Sequence, residues 1–188
     1  MHKPLEEIVK GCIDNDRKCQ EMLYHTFSNI MYGVCLSYTK NKDEAKDVLQ
    51  EGFIKVFKNI HKYNEEKNLE GWVRKIMVNT SIDFYRVRAR KNIHINIDNV
   101  PDVQMVDYSI LEAISANEIL NLIQKLPEGA KIIFNLHVLE GYTHDEIANM
   151  LDIAEGTSKS QFWRAKKLLQ QMLNKVYDKN LSVEKTNK

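Results

Sequence analysis

Glycine and proline are scarce, 7 and 3 among 188 residues, and alternating apolar and polar residues are rare. A chain with so few turn-formers has little means of closing hairpins, so an all-α fold is expected. Cysteine is sparse as well. Cys12, Cys19 and Cys35 are odd in number and widely spaced, which excludes a CxxC zinc site and a disulfide framework and suits a reducing compartment. They are expected to fill helix cores. The apolar runs are far shorter than a membrane span. The N-terminal Met1-His2-Lys3-Pro4-Leu5-Glu6-Glu7 has no apolar stretch of the signal-peptide kind. A cytoplasmic chain without membrane insertion is therefore expected. There is no HExxH, no phosphate-binding glycine loop and no nucleophile–base set, and His25, His61, His94, His137 and His144 are scattered. That pattern argues against an enzyme, a bound metal, a cofactor or a small-molecule substrate.

What is present is charge, unevenly distributed. The net charge is only +1, yet residues 1–92 hold 17 Lys and Arg against 13 Asp and Glu. Residues 93–112 hold four acids and no base, and residues 113–154 hold six acids and two bases. Residues 155–179 then reverse the sign, with six bases and two acids. Basic charge in two segments separated by acidic chain fits two nucleic-acid contacts on separate modules.

The segment 92–112 breaks the helical pattern. Ile93-His94-Ile95-Asn96-Ile97-Asp98-Asn99-Val100-Pro101-Asp102 alternates briefly and carries a proline, so it reads as a flexible linker, with a short edge strand as the rival reading. Its roughly 20 residues reach about 65 Å when extended, enough to separate two DNA contacts by one to two helical turns of about 34 Å. This divides the chain into a helical domain at 1–91, the linker 92–112, a second helical domain at 113–176 and a tail at 177–188.

In the first domain, Asn41-Lys42-Asp43-Glu44 has the form of an N-cap with an acid three residues on. Leu49, Phe53, Val56, Phe57 and Ile60 recur on one face of the helix that follows, while Asp47, Gln50 and Glu51 project elsewhere, toward solvent or a partner. A further helix is expected from about Glu70 to Lys91, with a core stripe of Val73, Ile76, Met77, Thr80, Phe84 and Val87. Trp72, Lys75, Asn79, Arg86 and Arg90 share its other face. Cations bind phosphate and an aromatic stacks on an unpaired base; the same residues also suit a basic, solvated helix end.

In the second domain, Leu126-Pro127-Glu128 starts a helix that continues through Ile132, Ile133, Leu136 and Leu139 to Gly141. Thr143-His144-Asp145-Glu146 is a Thr-x-x-Glu capping box, with Ile147, Ala148 and Leu151 inward. Asp152-Ile153-Ala154-Glu155-Gly156 reads as a turn, followed by a helix from Thr157 or Ser158 to about Val176. Phe162, Ala165, Leu169 and Met172 form its buried stripe. Ser160, Trp163, Arg164 and Lys167, with Lys159 beside them, form a polar face. This is a helix-turn-helix pattern whose second helix has the composition of a major-groove reader. A plain helical hairpin with a basic surface has the same periodicity, and a stand-alone transcriptional regulator would need only this half of the chain.

Taken in order, these segments resemble the sigma-70 family of RNA polymerase sigma factors. Asp43-Glu44-Ala45-Lys46-Asp47-Val48-Leu49-Gln50-Glu51-Gly52-Phe53 resembles the polymerase-binding segment of sigma domain 2. Trp72-Val73-Arg74-Lys75-Ile76-Met77-Val78-Asn79, with Asp83 and Arg86 following, resembles that domain's promoter-melting and −10-reading helix. Leu126-Pro127, Gly141-Tyr142-Thr143, Glu146-Ile147-Ala148, Gly156-Thr157-Ser158-Lys159-Ser160 and Arg164-Ala165-Lys166 are similar to sigma domain 4, which reads the −35 element. The absence of room for a middle domain points to the small extracytoplasmic-function (ECF) group.

The resemblance implies a domain 2 bundle and a domain 4 helix-turn-helix. It also implies core RNA polymerase (β′ coiled coil and β flap), promoter DNA and an anti-sigma factor as partners. Asp47, Gln50 and Glu51 would dock on the β′ coiled coil. Trp72, Lys75, Asn79, Arg86 and Arg90 would hold the opened −10 strand, with the loop Tyr63–Gly71 receiving a flipped base and Asp83 pairing with a nearby Arg. Lys159, Ser160, Trp163, Arg164 and Lys167 would contact the −35 duplex. Ser158 stands where the family usually has Val, and Gln161 where a base is common.

Overall fold

The computed structural model describes residues 4–64, 66–91 and 116–186. The expected linker, and its rival reading as a strand, lie outside these residues. Among the described residues every regular element is helical, and the chain divides into two compact units, Met1–Ile93 and His94–Lys188.

In the first unit, α1 (Leu5–Ile13) starts behind Pro4, whose carbonyl accepts from the Glu7 and Ile8 amides at 3.1 and 3.2 Å. Glu6 and Glu7 in its first turn suit the positive end of the helix dipole. The chain leaves α1 through Asn15 at φ 61°, a left-handed position that asparagine adopts more easily than most residues. Asp16 then caps α2 (Arg17–Tyr38) by accepting the Lys18 amide at 2.8 Å. Asn41 caps α3 (Lys42–Asn59) as expected, its Oδ1 accepting from Asp43 and Glu44 at 3.1 and 2.9 Å. Glu44 reaches back to the Lys40 amide at 3.0 Å, one residue before the cap. A single 3-10 turn at Ile60–Lys62 follows, and then α4 (Leu69–Lys91).

The core of this unit comes from α2, α3 and α4. Leu23, Met31, Cys35, Ala45, Val48, Val56, Val73 and Met77 are essentially inaccessible, and Phe53 nearly so. The α3 stripe agrees with its periodicity. The α4 stripe does not agree throughout: Val78, Ser81 and Ile82 are buried, while Val87 is 57% exposed. α4 packs against both α2 and α3, so its middle is covered on two sides. Arg88 meets Glu44 near the start of α3, so the end of α4 is tied to the first turn of α3. The buried hydroxyls of Thr80 and Ser81 donate to the carbonyls of Ile76 and Met77, both at 2.8 Å, which spares the core unpaired polar groups.

The second unit contains α5 (Ala116–Gln124), α6 (Glu128–Val138), α7 (His144–Leu151) and α8 (Glu155–Thr186). Ile123, Leu126, Ala130 and Ala165 form a buried cluster, with Ile119, Phe134, Leu168, Leu169 and Met172 packed around it. α6 buries Ile132, Ile133 and Leu136, but Leu139 is 44% exposed because the helix ends at Val138. Gly141 then turns the chain at φ 78°. α8 begins at Glu155, a turn fragment earlier than expected, because Asp152 in the left-handed region (φ 58°) completes the reversal early. It runs on to Thr186 rather than stopping near Val176, since no glycine or proline interrupts residues 157–186.

Two glycines on helices make opposite predictions. A Cβ on Gly11 would lie 2.3 Å from Cys19 Sγ and 2.8 Å from its Cβ, so Gly11→Ala forces α1 away from α2. The expected loss is about 1–3 kcal/mol of unfolding free energy. Gly33, exposed on α2, has nothing within 4 Å of its added Cβ, and Gly33→Ala should gain about 0.5–1 kcal/mol from helix propensity. Chemical denaturation of both variants measures the two signs.

Candidate nucleic-acid interface

On α3 the buried and exposed faces separate cleanly. Leu49, Phe53 and Val56 point into the core, while Asp47, Gln50 and Glu51 are exposed. Ile54, 47% exposed, continues the line one turn beyond Gln50 and Glu51. The result is an acidic and amide stripe with an apolar end, a form suited to a basic partner helix.

A groove runs between the C-terminal half of α3 and α4, lined by Lys55, Asn59, Lys62, Trp72, Asn79 and Asp83 among others. Trp72 and Asn79 thus come together as the helical spacing indicates. Trp72 is partly buried, with Tyr63 tilted against it at 5.6 Å between ring centroids, while Lys75 and Asn79 are exposed. Lys55, Asn59 and Lys62 were not anticipated as part of this face. Their i, i+4, i+7 spacing across the end of α3 and the 3-10 turn was the available signal. Asp83 pairs with Lys55 at 3.2 Å, not with an arginine; the lysine stem spans the groove and reaches it from the opposite helix. The segment read as the Tyr63–Gly71 loop ends in the first turn of α4, which starts at Leu69, and its bonds are local: Tyr63 Oη donates to the Lys67 carbonyl, and Asn68 Oδ1 accepts the Gly71 amide at 3.2 Å. A second hollow opens beside it, with Leu5 and Val9 of α1 facing Tyr63, Lys67 and Asn68.

Three arginines near the end of α4 differ in role. Arg86 is partly buried, and the side chain of Arg90 lies outside the described residues. Arg88 is structural: its guanidinium donates to Glu44 Oε2, both side chains being about one-fifth exposed, and it lies 5.6 Å from the Phe84 ring centroid. Burial pushes the Glu44 carboxyl upward, but the Lys40 amide and the Arg88 guanidinium outweigh it and hold the group below the usual carboxylate range.

In the second unit the capping box is complete. Thr143 Oγ1 accepts the Glu146 amide at 3.2 Å, and Glu146 Oε2 accepts the Thr143 amide at 2.8 Å. On the first turns of α8, Lys159, Ser160 and Trp163 are exposed, Trp163 by 53%, while Arg164 and Lys167 are partly buried. Glu155 holds Lys159 at 2.7 Å. Lys166 Nζ lies 4.7 Å from the Trp163 ring centroid and 5.8 Å from that of Phe162, so it belongs to this face although it was not singled out. His137 and His144 do not scatter to the surface. Their rings stack at 4.5 Å, with Phe162 edge-on to both.

Residues 23–91 match the family model described as Sigma-70 region 2, and residues 116–169 match that described as Sigma-70, region 4. The chain belongs to the sigma-70 family. Its relatives place it in the ECF group of these sigma factors. It is 25% identical over 176 residues to the ECF RNA polymerase sigma-E factor of Haemophilus influenzae, covering 88% of this chain and 93% of that protein. It is 28% identical over 155 residues to the ECF RNA polymerase sigma factor SigM of Bacillus subtilis, covering 81% and 94% respectively. Among solved structures, it is similar to the sigma factor RpoE in complex with the anti-sigma factor NepR from Bartonella quintana, with a TM-score of 0.47, 19% identity, and coverage of 82% of this chain and 96% of that one. As an ECF sigma factor the chain acts in transcription initiation. Among its described residues no helix is long and apolar enough to cross a membrane.

The Glu44–Arg88 pair yields a test on this sigma factor. Arg88→Ala leaves a partly buried carboxylate without its cation and should cost about 1–3 kcal/mol. Because Glu44 is held below its ordinary value when folded, the wild type gains stability above the unfolded carboxylate pKa and loses it as pH falls through the folded value. Urea denaturation at pH 7 and under acid conditions should show a shallower loss on acidification in Arg88→Ala.

Proposed function

We propose that this sigma factor reads and melts the −10 element with its first unit and reads the −35 element with its second, while α3 docks on core RNA polymerase. The observation that carries the reading is the presence, in each matched region, of one exposed surface that combines cations with an aromatic ring. In the first, Lys55 and Lys62 line one groove with Trp72 and Asn79. In the second, Lys159 and Lys166 accompany Trp163. On this reading the cations, with Arg86 and Arg90, follow the backbone of the opened strand and Trp72 stacks on an unpaired base. The Tyr63–Gly71 loop receives the flipped one. Extrusion costs a few kcal/mol, and stacking returns about 1–3 kcal/mol per base.

Lys159, Ser160, Trp163, Arg164 and Lys167 contact the −35 duplex, and Arg164 is the residue suited to bidentate guanine or phosphate contact. Asp47, Gln50 and Glu51 bind the basic β′ coiled coil, with the second unit on the β flap. The working domains are residues 1–91 and 113–176, joined by the linker 92–112 and followed by the tail 177–188. An anti-sigma factor that masks these faces in the cytoplasm completes the scheme. The chain itself acts without catalysis, as a specificity subunit.

Transcription from a matched promoter with purified core polymerase tests the reading. Asp47→Lys with Glu51→Lys should lower transcript yield about tenfold or more by putting like charges against the partner, with an unchanged unfolding midpoint. Trp72→Ala with Asn79→Ala should impair opening of the −10 region, read by permanganate footprinting, while core binding persists. Arg164→Ala should cost about 1–3 kcal/mol at the −35 element. Tight, specific duplex binding without core, together with full transcription by the α3 double variant, would overturn the proposal in favour of a stand-alone regulator.

A further inference from the structure

In the second unit a buried hydroxyl and two imidazoles meet where three helices join. Ser158, in the first turn of α8, is fully buried, and its Oγ lies 2.9 Å from His144 Nδ1 on the first residue of α7. Behind it the His137 ring of α6 stacks on His144, with centroids 4.5 Å apart and planes 17° from parallel. Phe162, one turn further along α8, closes the group edge-on at 4.8 Å from His137 and 5.4 Å from His144. His137 Nδ1 lies 2.8 Å from the Tyr142 carbonyl, which can only accept, so this nitrogen carries the proton. Three helices are thus joined through two imidazoles, and the part of α8 they hold is the turn that presents Lys159, Ser160 and Trp163.

We propose that the His137–His144 stack is a pH-responsive latch that positions the N-terminal turns of α8. Deepening the reading of α8 as the −35 reader, the latch makes duplex affinity follow the charge state of the pair. Neutral rings stack face to face without repulsion, and in the tautomer with its proton on Nε2, His144 accepts a hydrogen bond from the Ser158 hydroxyl at Nδ1. Protonation reverses that bond, because the imidazolium can only donate, and it places a cation against the neighbouring ring.

The groups around the stack offer little compensation. On α8, Lys159 adds positive charge, Glu155 is committed to Lys159 at 2.7 Å, and Lys166 adds a second cation 5.8 Å from the Phe162 ring centroid. On α7, Glu146 is committed to the Thr143 cap, and Asp145 lies close to the Asn149 amide at 3.4 Å. Glu140 and Tyr142 flank the end of α6 and the following turn. Burial first, then His137 and Lys159, hold His144 below the ordinary histidine range, with Glu155 opposing. A histidine depressed in this way contributes stability above its unfolded pKa and loses it as pH falls toward the folded value.

Hydrogen exchange of the full chain, corrected for intrinsic rates, tests the latch alongside −35 duplex affinity. From pH 7.5 to 5.5, wild-type protection of the amides at 157–163 should fall severalfold, while protection in α3 stays level. His144→Phe with His137→Phe should abolish the fall. Ser158→Val, the smaller change, should reduce it if the double variant does not fold. Wild-type protection that is independent of pH, or a fall that survives in both variants, would overturn the latch. A fall in protection at constant duplex affinity supports the latch and counts instead against α8 as the reader.

Discussion

An added Cβ at Gly52 would sit 2.2 Å from Met77 Sδ, so the approach of α4 to α3 depends on the missing side chain. That approach brings Lys55 within reach of Asp83 and sets Trp72 and Asn79 opposite Asn59 and Lys62 as the walls of one groove. It also lets α3 keep its buried stripe continuous while the opposite stripe remains charged. A helix that serves a core and a partner at once must divide its circumference sharply, and close packing at a single glycine allows the apolar sector to be narrow.

The charged groups sort by what holds them. Glu44 and Arg88 are largely buried and tie the start of α3 to the end of α4. Glu155 and Lys159 pair in the open, where such a bridge adds little stability. Both units therefore present cations that are available at low cost, backed by polar contacts that are expensive to break. The burial of Ser158 beside His144 follows the same rule: a hydroxyl in an apolar interior is tolerable because its partner is fixed.

Local signals were the most legible. Asn41 and Thr143 announced their helices because capping is decided within four residues; Thr143 formed its full capping box, whereas Glu44 turned to the Lys40 amide instead of that of Asn41. The apolar periodicity of α3 and α7 identified their buried faces for the same reason. Legibility failed where neighbours decide. Val87 follows the helical period yet is exposed, because the neighbours that cover the middle of α4 do not cover that side of its last turns. Asp83 found a lysine from another helix rather than an arginine on its own. His137 and His144, seven residues apart across a turn, became a stacked pair only through the packing of three helices, and nothing in their spacing encodes that. The extent of α8 could have been anticipated from its lack of breakers, but the weakening apolar pattern suggested an earlier stop.

The three native thiols are all buried. Burial above all pushes Cys12 up to about 11, helped by Cys19 and Asp16, and Cys35 up to about 12. At neutral pH almost no thiolate forms at these two sites, and access to all three is closed. A single cysteine introduced at an exposed position, such as Ile54 or Ser160, would then be the fastest group to react with a maleimide dye. The molecule can carry a fluorophore on either candidate face with its natural cysteines in place, and their slow modification would itself report transient opening of the first unit.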